Sequence, residues 1–129
     1  MADTAISGSL ERALKAAGAY LCSDEERDRM RSLLFGSGHI NSGVIGRSAT
    51  WIAQQAGIRV PPKTKVLLTP VEFVAEEELL VHEKLSPVLA YYTVAGQSTL
   101  LRAALSVLRV TGNGHGAGVS PCPPQVEHP

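Results

Sequence analysis

The chain has 129 residues, 44% of them hydrophobic and 19% charged, with 12 basic side chains balanced by 12 acidic ones. That is the size of one domain able to bury its own core, and the composition is globular rather than disordered. Zero net charge and 5% aromatic residues leave little to concentrate phosphates or stack bases, so no nucleic-acid partner is expected.

The N-terminal stretch MADTAISGSLERALKAAG is polar and broken by charges, and lacks the apolar centre of a secretory signal. Within SLERALKAAGAYL, the residues Leu10, Ala13, Leu14 and Ala17 share one helical face, and Gly18 is a natural stop. SDEERDRMRSLLF follows. Ser23 with Glu26 three residues on reads as a capping box, and the acids-then-arginines order suits the helix dipole. GSGHINSGVIGRS is expected to be a loop with a short extended piece around Val44 and Ile45. Ser48 can cap a third helix, ATWIAQQAG, closed by Gly57.

Pro61 and Pro62 forbid helix and lead into TKVLLTP, a run that reads as a buried strand. EFVAEEELL is acidic and irregular, and SPVLAYYTV reads as a second buried strand. GQSTLLRAALSVLRV carries Leu100, Leu101, Ala104, Leu105 and Leu108 at helical spacing, and GAGV beyond it suits a short strand. Strands separated by helices predict an α/β fold, a mostly parallel sheet with flanking helices. The folded part should occupy residues 1–119. Residues 120–129, SPCPPQVEHP, hold four prolines and are expected to be a disordered tail. No apolar run approaches the roughly 20 residues of a bilayer span, so no membrane partner is expected.

Read residue by residue, the catalytic inventory is thin. The glycines at 36, 38 and 43 do not have dinucleotide-fingerprint spacing. His39, His82, His115 and His128 form no metal motif, and Glu76, Glu77 and Glu78 read as a solvated loop without the calcium-loop pattern. No metal site is expected. Cys22 and Cys122 lie far apart without ligand spacing, and read as a buried small residue and a tail thiol in a reducing, cytoplasmic compartment.

HEKLSPVLAYYTV, residues 82–94, sets a charged triplet against a proline and an apolar run. It closely resembles a motif of the CoA-acylating aldehyde dehydrogenases, including the aldehyde-handling half of bifunctional aldehyde–alcohol dehydrogenases. GAYLCSDEERDRMRSLLF, GHINSGVIGRSATWIAQQAGIRVPPKTKVLL and the triplet keep that family's order and spacing, and TGNGHGAGV resembles its Gly-His segment. The likeness runs from about Ile6 to Val119.

The resemblance implies a partial aldehyde dehydrogenase catalytic domain. In the family, a cysteine thiolate attacks an aldehyde, hydride passes to NAD(P), and the resulting thioester is transferred to coenzyme A. It also implies that Glu83 hydrogen-bonds a ribose of the nicotinamide cofactor, a task suited to a carboxylate, which accepts from two neighbouring hydroxyls. Leu85, Ser86 and Pro87 would shape the floor beside the nicotinamide. By the same resemblance, the nucleophilic cysteine and the Rossmann-like domain lie upstream of everything matched, so no catalytic residue is assigned here. The expected function is that of a fragment of an NAD(P)-dependent CoA-acylating oxidoreductase acting on a small aldehyde or acyl-CoA, the chain alone being inactive. The alternative is a non-catalytic remnant or small interaction module. A partial domain should expose apolar faces and self-associate.

Overall fold

A computed structural model describes residues 1–112. The chain runs β1 (Ala2–Asp3), α1 (Thr4–Ala16), β2 (Ala19–Leu21), α2 (Asp24–Phe35), α3 (Ala49–Gln55), β3 (Val66–Pro70), β4 (Val88–Tyr91), β5 (Thr93–Val94) and α4 (Gln97–Thr111). Two 3-10 turns, Ser42–Val44 and Leu79–Val81, interrupt the long connections. The strand expected at GAGV and the tail at 120–129 lie outside the described residues.

β2, β3 and β4 form a parallel sheet in that order, with Tyr20 opposite Leu67 and Leu67 opposite Val88. β1 pairs in parallel with β5 as a separate two-stranded sheet. The fold class is therefore α/β with parallel sheets and flanking helices.

Val-Leu-Leu at the start of β3 sends alternate side chains to opposite faces. Leu67 (0% exposed) and Val88 join the main core with Met30 and Leu34 of α2 and Ile52 and Ala53 of α3. Leu68 and Tyr91 point the other way, onto Ala2 and the half-buried Leu10 and Leu14 of α1. A strand buried on both faces reads as a continuous apolar run, which is why TKVLLTP announces itself.

The caps explain the helix starts. Ser23 Oγ accepts from the Glu26 amide at 3.2 Å, and Ser48 Oγ from the Trp51 amide at 3.2 Å. Only half of the expected capping box forms, because the Glu26 carboxylate accepts from the Tyr20 hydroxyl at 3.0 Å instead. α1 begins earlier than its apolar spacing suggests, capped by Asp3 Oδ1 on the Ala5 amide at 2.9 Å. It ends at Ala16, and Gly18 turns the chain with a φ of +105° that a side chain would strain. The Gly18 carbonyl then accepts from the Lys65 amide at 2.7 Å, starting the β2–β3 pairing.

Two expectations need correction, and one element goes beyond them: AYL, just past the Gly18 stop, is a strand that the sequence reading assigns to no element. The piece around Val44 is a 3-10 turn, since Asn41 Oδ1 accepts from the Gly43 amide at 2.9 Å and closes the backbone there. SPVLAYYTV is two strands. Tyr92 separates them, and its carbonyl accepts from the Ala2 amide at 2.9 Å, which carries the chain to the second sheet.

The connection from β3 to β4 positions everything that follows. Parallel neighbours need a crossover, usually built on an α-helix. Here residues 71–87 make it with one 3-10 turn. Loops of that length without regular structure are uncommon in compact domains, and those that occur are often functional.

Candidate functional site

The crossover is held by side chains where a helix would have used backbone. Glu78 caps the Leu79–Val81 turn, its Oε1 accepting from the Leu80 amide at 3.1 Å. The same carboxylate receives a two-pronged contact from Arg31 of α2, Nε to Oε1 at 3.0 Å and Nη2 to Oε2 at 2.6 Å. Glu78 is only 4% exposed, which corrects the solvated-loop reading at that residue, while Glu76 and Glu77 are exposed as expected. Burial raises its pKa, but the Arg31 and Leu80 hydrogen bonds outweigh that and hold it below the usual carboxylate range.

At the other end of the turn sits Lys84, 8% exposed. Its ammonium donates to the Leu80 carbonyl at 2.5 Å and to the His82 carbonyl at 3.0 Å. Short helices leave their last carbonyls without partners, and a cation at that end is favoured. Burial pushes the Lys84 pKa down to about 8, with the Glu78 charge pulling it the other way. His82 is tethered as well, through Nε2 to the Glu76 carbonyl at 2.9 Å.

Between these clamps Glu83 is exposed and lies outside any helix or strand. It lines a cleft of about 390 Å³ together with His39, His82, Phe35, Ile40 and Val110. Leu85 is 58% exposed and adopts a left-handed φ of 49°, where leucine is rarely found. Ser86 Oγ is buried without a hydrogen-bond partner among the described residues. Pro87 ends the crossover, its carbonyl accepting from the Leu67 amide at 2.9 Å to open the β3–β4 ladder. The structure thus brings Glu83, Leu85 and Pro87 onto one turn at a strand mouth, with a carboxylate and an apolar side chain facing outward.

The left-handed Leu85 supplies a prediction. Leu85→Gly relieves about 1–2 kcal/mol of backbone strain against a glycine entropy cost of about 0.5–1 kcal/mol, with little packing to lose. Its melting temperature should rise by a few degrees; an unchanged or lower value would show that residue 85 is not strained in solution.

Sequence reasoning missed Arg31, Glu78 and Lys84. A signal existed for the first: Arg27 and Arg31 share a helical face with Met30 and Leu34, which are both 0% exposed, so both arginines turn toward the protein. Arg27 is 8% exposed and donates to the Pro70 carbonyl at 3.2 Å. Cys22 is 2% exposed, and burial, reinforced by the Glu26 charge, pushes its thiol up to about 12. Such a thiol packs; it does not attack. Among the described residues no group of three or more His, Cys, Asp or Glu could hold a metal ion, and no helix is long and apolar enough to cross a membrane.

No family model matches the sequence. An aldehyde-alcohol dehydrogenase of Clostridium acetobutylicum is 40% identical over 102 residues, covering 79% of this chain and 12% of that enzyme. The crystal structure of an acetylating aldehyde dehydrogenase from Geobacillus thermoglucosidasius superposes with a TM-score of 0.81 at 34% identity, covering 88% of this chain and 25% of that one. A propionaldehyde dehydrogenase from Rhodopseudomonas palustris, solved with bound CoA and an acylated cysteine, superposes with a TM-score of 0.66 at 25% identity. It covers 84% of this chain and 24% of that one. The chain therefore spans a minor part of each relative. By sequence over 79% of its length and by fold over 88%, it is a homologue of the acylating aldehyde dehydrogenases, matching one segment of those oxidoreductases.

Proposed function

We propose that this chain supplies the cofactor-facing strand mouth of an NAD(P)-dependent, CoA-acylating aldehyde dehydrogenase, whose complete reaction interconverts an aldehyde, CoA and NAD(P)+ with an acyl-CoA and NAD(P)H. The observation that carries the reading is the turn itself: an exposed carboxylate at residue 83 and an exposed leucine at residue 85, displayed at a cleft by a crossover that is otherwise pinned down.

Those residues fit a nicotinamide riboside by chemistry. The Glu83 carboxylate can accept from two neighbouring ribose hydroxyls. Leu85 offers an apolar surface to a flat ring, and Pro87 stiffens the backbone beneath it. When bound, the nicotinamide supplies the hydride acceptor and coenzyme A the thiol that takes the acyl group. With its thiol held protonated, Cys22 does not serve as the nucleophile. In our reading that role belongs to a cysteine in the part of the family fold outside the match, and this chain by itself turns over no aldehyde.

Two further elements complete the reading. The buried free thiol of Cys22 suits a reducing, cytoplasmic setting. Exposed leucines on β4 and α4, Leu89, Leu101 and Leu105, favour self-association of the chain.

Saturation-transfer NMR with NADH and NADPH tests the cofactor reading, because it detects the millimolar affinities that one edge of a site provides (about −4 kcal/mol). Ribose protons should receive saturation from the wild-type chain, and Glu83→Ala should remove most of it. Equal ribose signals from the two proteins, or none from either, would overturn the assignment.

A further inference from the structure

We propose that Lys84 is a positioning residue for Glu83: its ammonium, buried between the Leu80 and His82 carbonyls, fixes the backbone from which the Glu83 side chain projects. The His82 carbonyl belongs to the peptide unit that joins His82 to Glu83. Holding that oxygen at 3.0 Å from Lys84 Nζ sets the plane of the peptide, and so the direction in which the Glu83 Cα–Cβ bond leaves the chain.

Three features show that the arrangement is built around the lysine. The turn is anchored at both ends, by Glu78 on the Leu80 amide and by Lys84 on the Leu80 carbonyl. It is also tied to the body of the protein, since Arg31 grips Glu78 from α2. Rigid α2 is thus linked through Arg31, Glu78 and the turn to Lys84 and the His82–Glu83 peptide. Finally, a charge 8% exposed is an expensive way to satisfy two carbonyls. An apolar side chain of equal length would avoid the desolvation but leave the Leu80 and His82 carbonyls without their donor, so the charge is retained together with the backbone shape it holds. A crossover without a helix has no backbone ladder to fix its shape, and the lysine takes over that task.

The charge that acts on Lys84 is the Glu78 carboxylate, itself held by Arg31 of α2, and His82 and Glu83 are its chain neighbours. In the wild-type chain, backbone carbonyl 13C shifts of Leu80 and His82 should titrate together as pH rises from about 7 to about 10, above the ordinary histidine range. Lys84→Met should abolish that titration and speed amide exchange at Glu83 and Lys84's position by about tenfold, while exchange at Leu67 in the core is unchanged. Carbonyl shifts that stay flat in the wild type, or exchange at residues 83–84 that does not change in the variant, would overturn the proposal.

A second arm rests on the cofactor reading above. NADH ribose saturation should fall several-fold in Lys84→Met and be retained in Lys84→Arg, which keeps a donor cation. Full ribose contact in a folded Lys84→Met chain counts against positioning. Absence of contact in the wild type removes the cofactor reading instead, and the carbonyl and exchange measurements still decide the role of Lys84.

Discussion

Arg31→Met is expected to lower the unfolding free energy of the chain by about 2–3 kcal/mol, a large share of the roughly 5–15 kcal/mol that holds a domain together. The change leaves the Glu78 carboxylate, 4% exposed, with the Leu80 amide and no guanidinium. A buried charge that loses its partner keeps its desolvation penalty and loses the attraction that offset it. Arg29 provides the internal control. Its contact with Glu25 is as short, 2.6 Å, as the Arg31–Glu78 contact, but the two side chains are 48% and 78% exposed. Arg29→Met should therefore change stability by about 0.5 kcal/mol or less. Urea unfolding of the two variants separates burial from distance as the source of the effect.

The same pair sets an acid limb. Glu78 is held below the usual carboxylate range in the folded chain, so the unfolded chain takes up a proton first as pH falls. The stability that Arg31 confers is then complete above the ordinary carboxylate pKa and declines as pH drops through the lower, folded value. The gap between wild type and Arg31→Met should be full at neutral pH and shrink on acidification. Arg31 also donates to Asp28 Oδ1 at 2.7 Å and holds that carboxyl below its usual range. A gap that stays constant or grows toward low pH would therefore mean that Arg31 stabilises neither carboxylate, and the same titration in Asp28→Asn isolates the share of Glu78.

Much of this fold is legible because its signals are local. Ser23 and Ser48 announce helix starts by hydroxyls three residues before the amides they cap, and VLLTP announces a strand buried on both sides. β1 and β5, two residues each, carry no pattern of their own and exist only through mutual pairing. β2 was hidden because Leu21 continues the helical spacing of Leu10, Leu14 and Ala17, and only the Gly18 backbone tells them apart. The candidate site divides the same way. Glu83, Leu85 and Pro87 sit within five positions of one another, so a motif holds them together. Which glutamate of three consecutive ones is buried depends on Arg31, 47 positions away. Nothing in the letter sequence marks Leu85 for a left-handed backbone, since asparagine or glycine is the usual occupant.

Replacing Leu89 with lysine and Leu105 with glutamate should keep the chain monomeric at concentrations where the wild type is expected to self-associate, without lowering its melting temperature. Leu89 lies on the sheet face that α1 covers, in register with Leu68, but Leu68 is 4% exposed and Leu89 is 53% exposed. The helix shields Leu68 on the middle strand and Tyr91 on β4 but leaves Leu89 bare, and β4 is also an edge of the three-stranded sheet. On α4, Leu101 and Leu105 are one helical turn apart, 45% and 55% exposed, and no residue of that helix is fully buried. About half of each such side chain remains to be covered, a gain on the order of 1 kcal/mol apiece, so several of them meeting a second copy offset the entropy of a weak association. In sedimentation velocity the wild type should move toward heavier species as concentration rises, and the double variant should not. Neither leucine contributes to either buried cluster, which is why the thermal transition should stay in place. A wild-type chain that sediments as one monomeric species at every concentration would show that these faces need no cover.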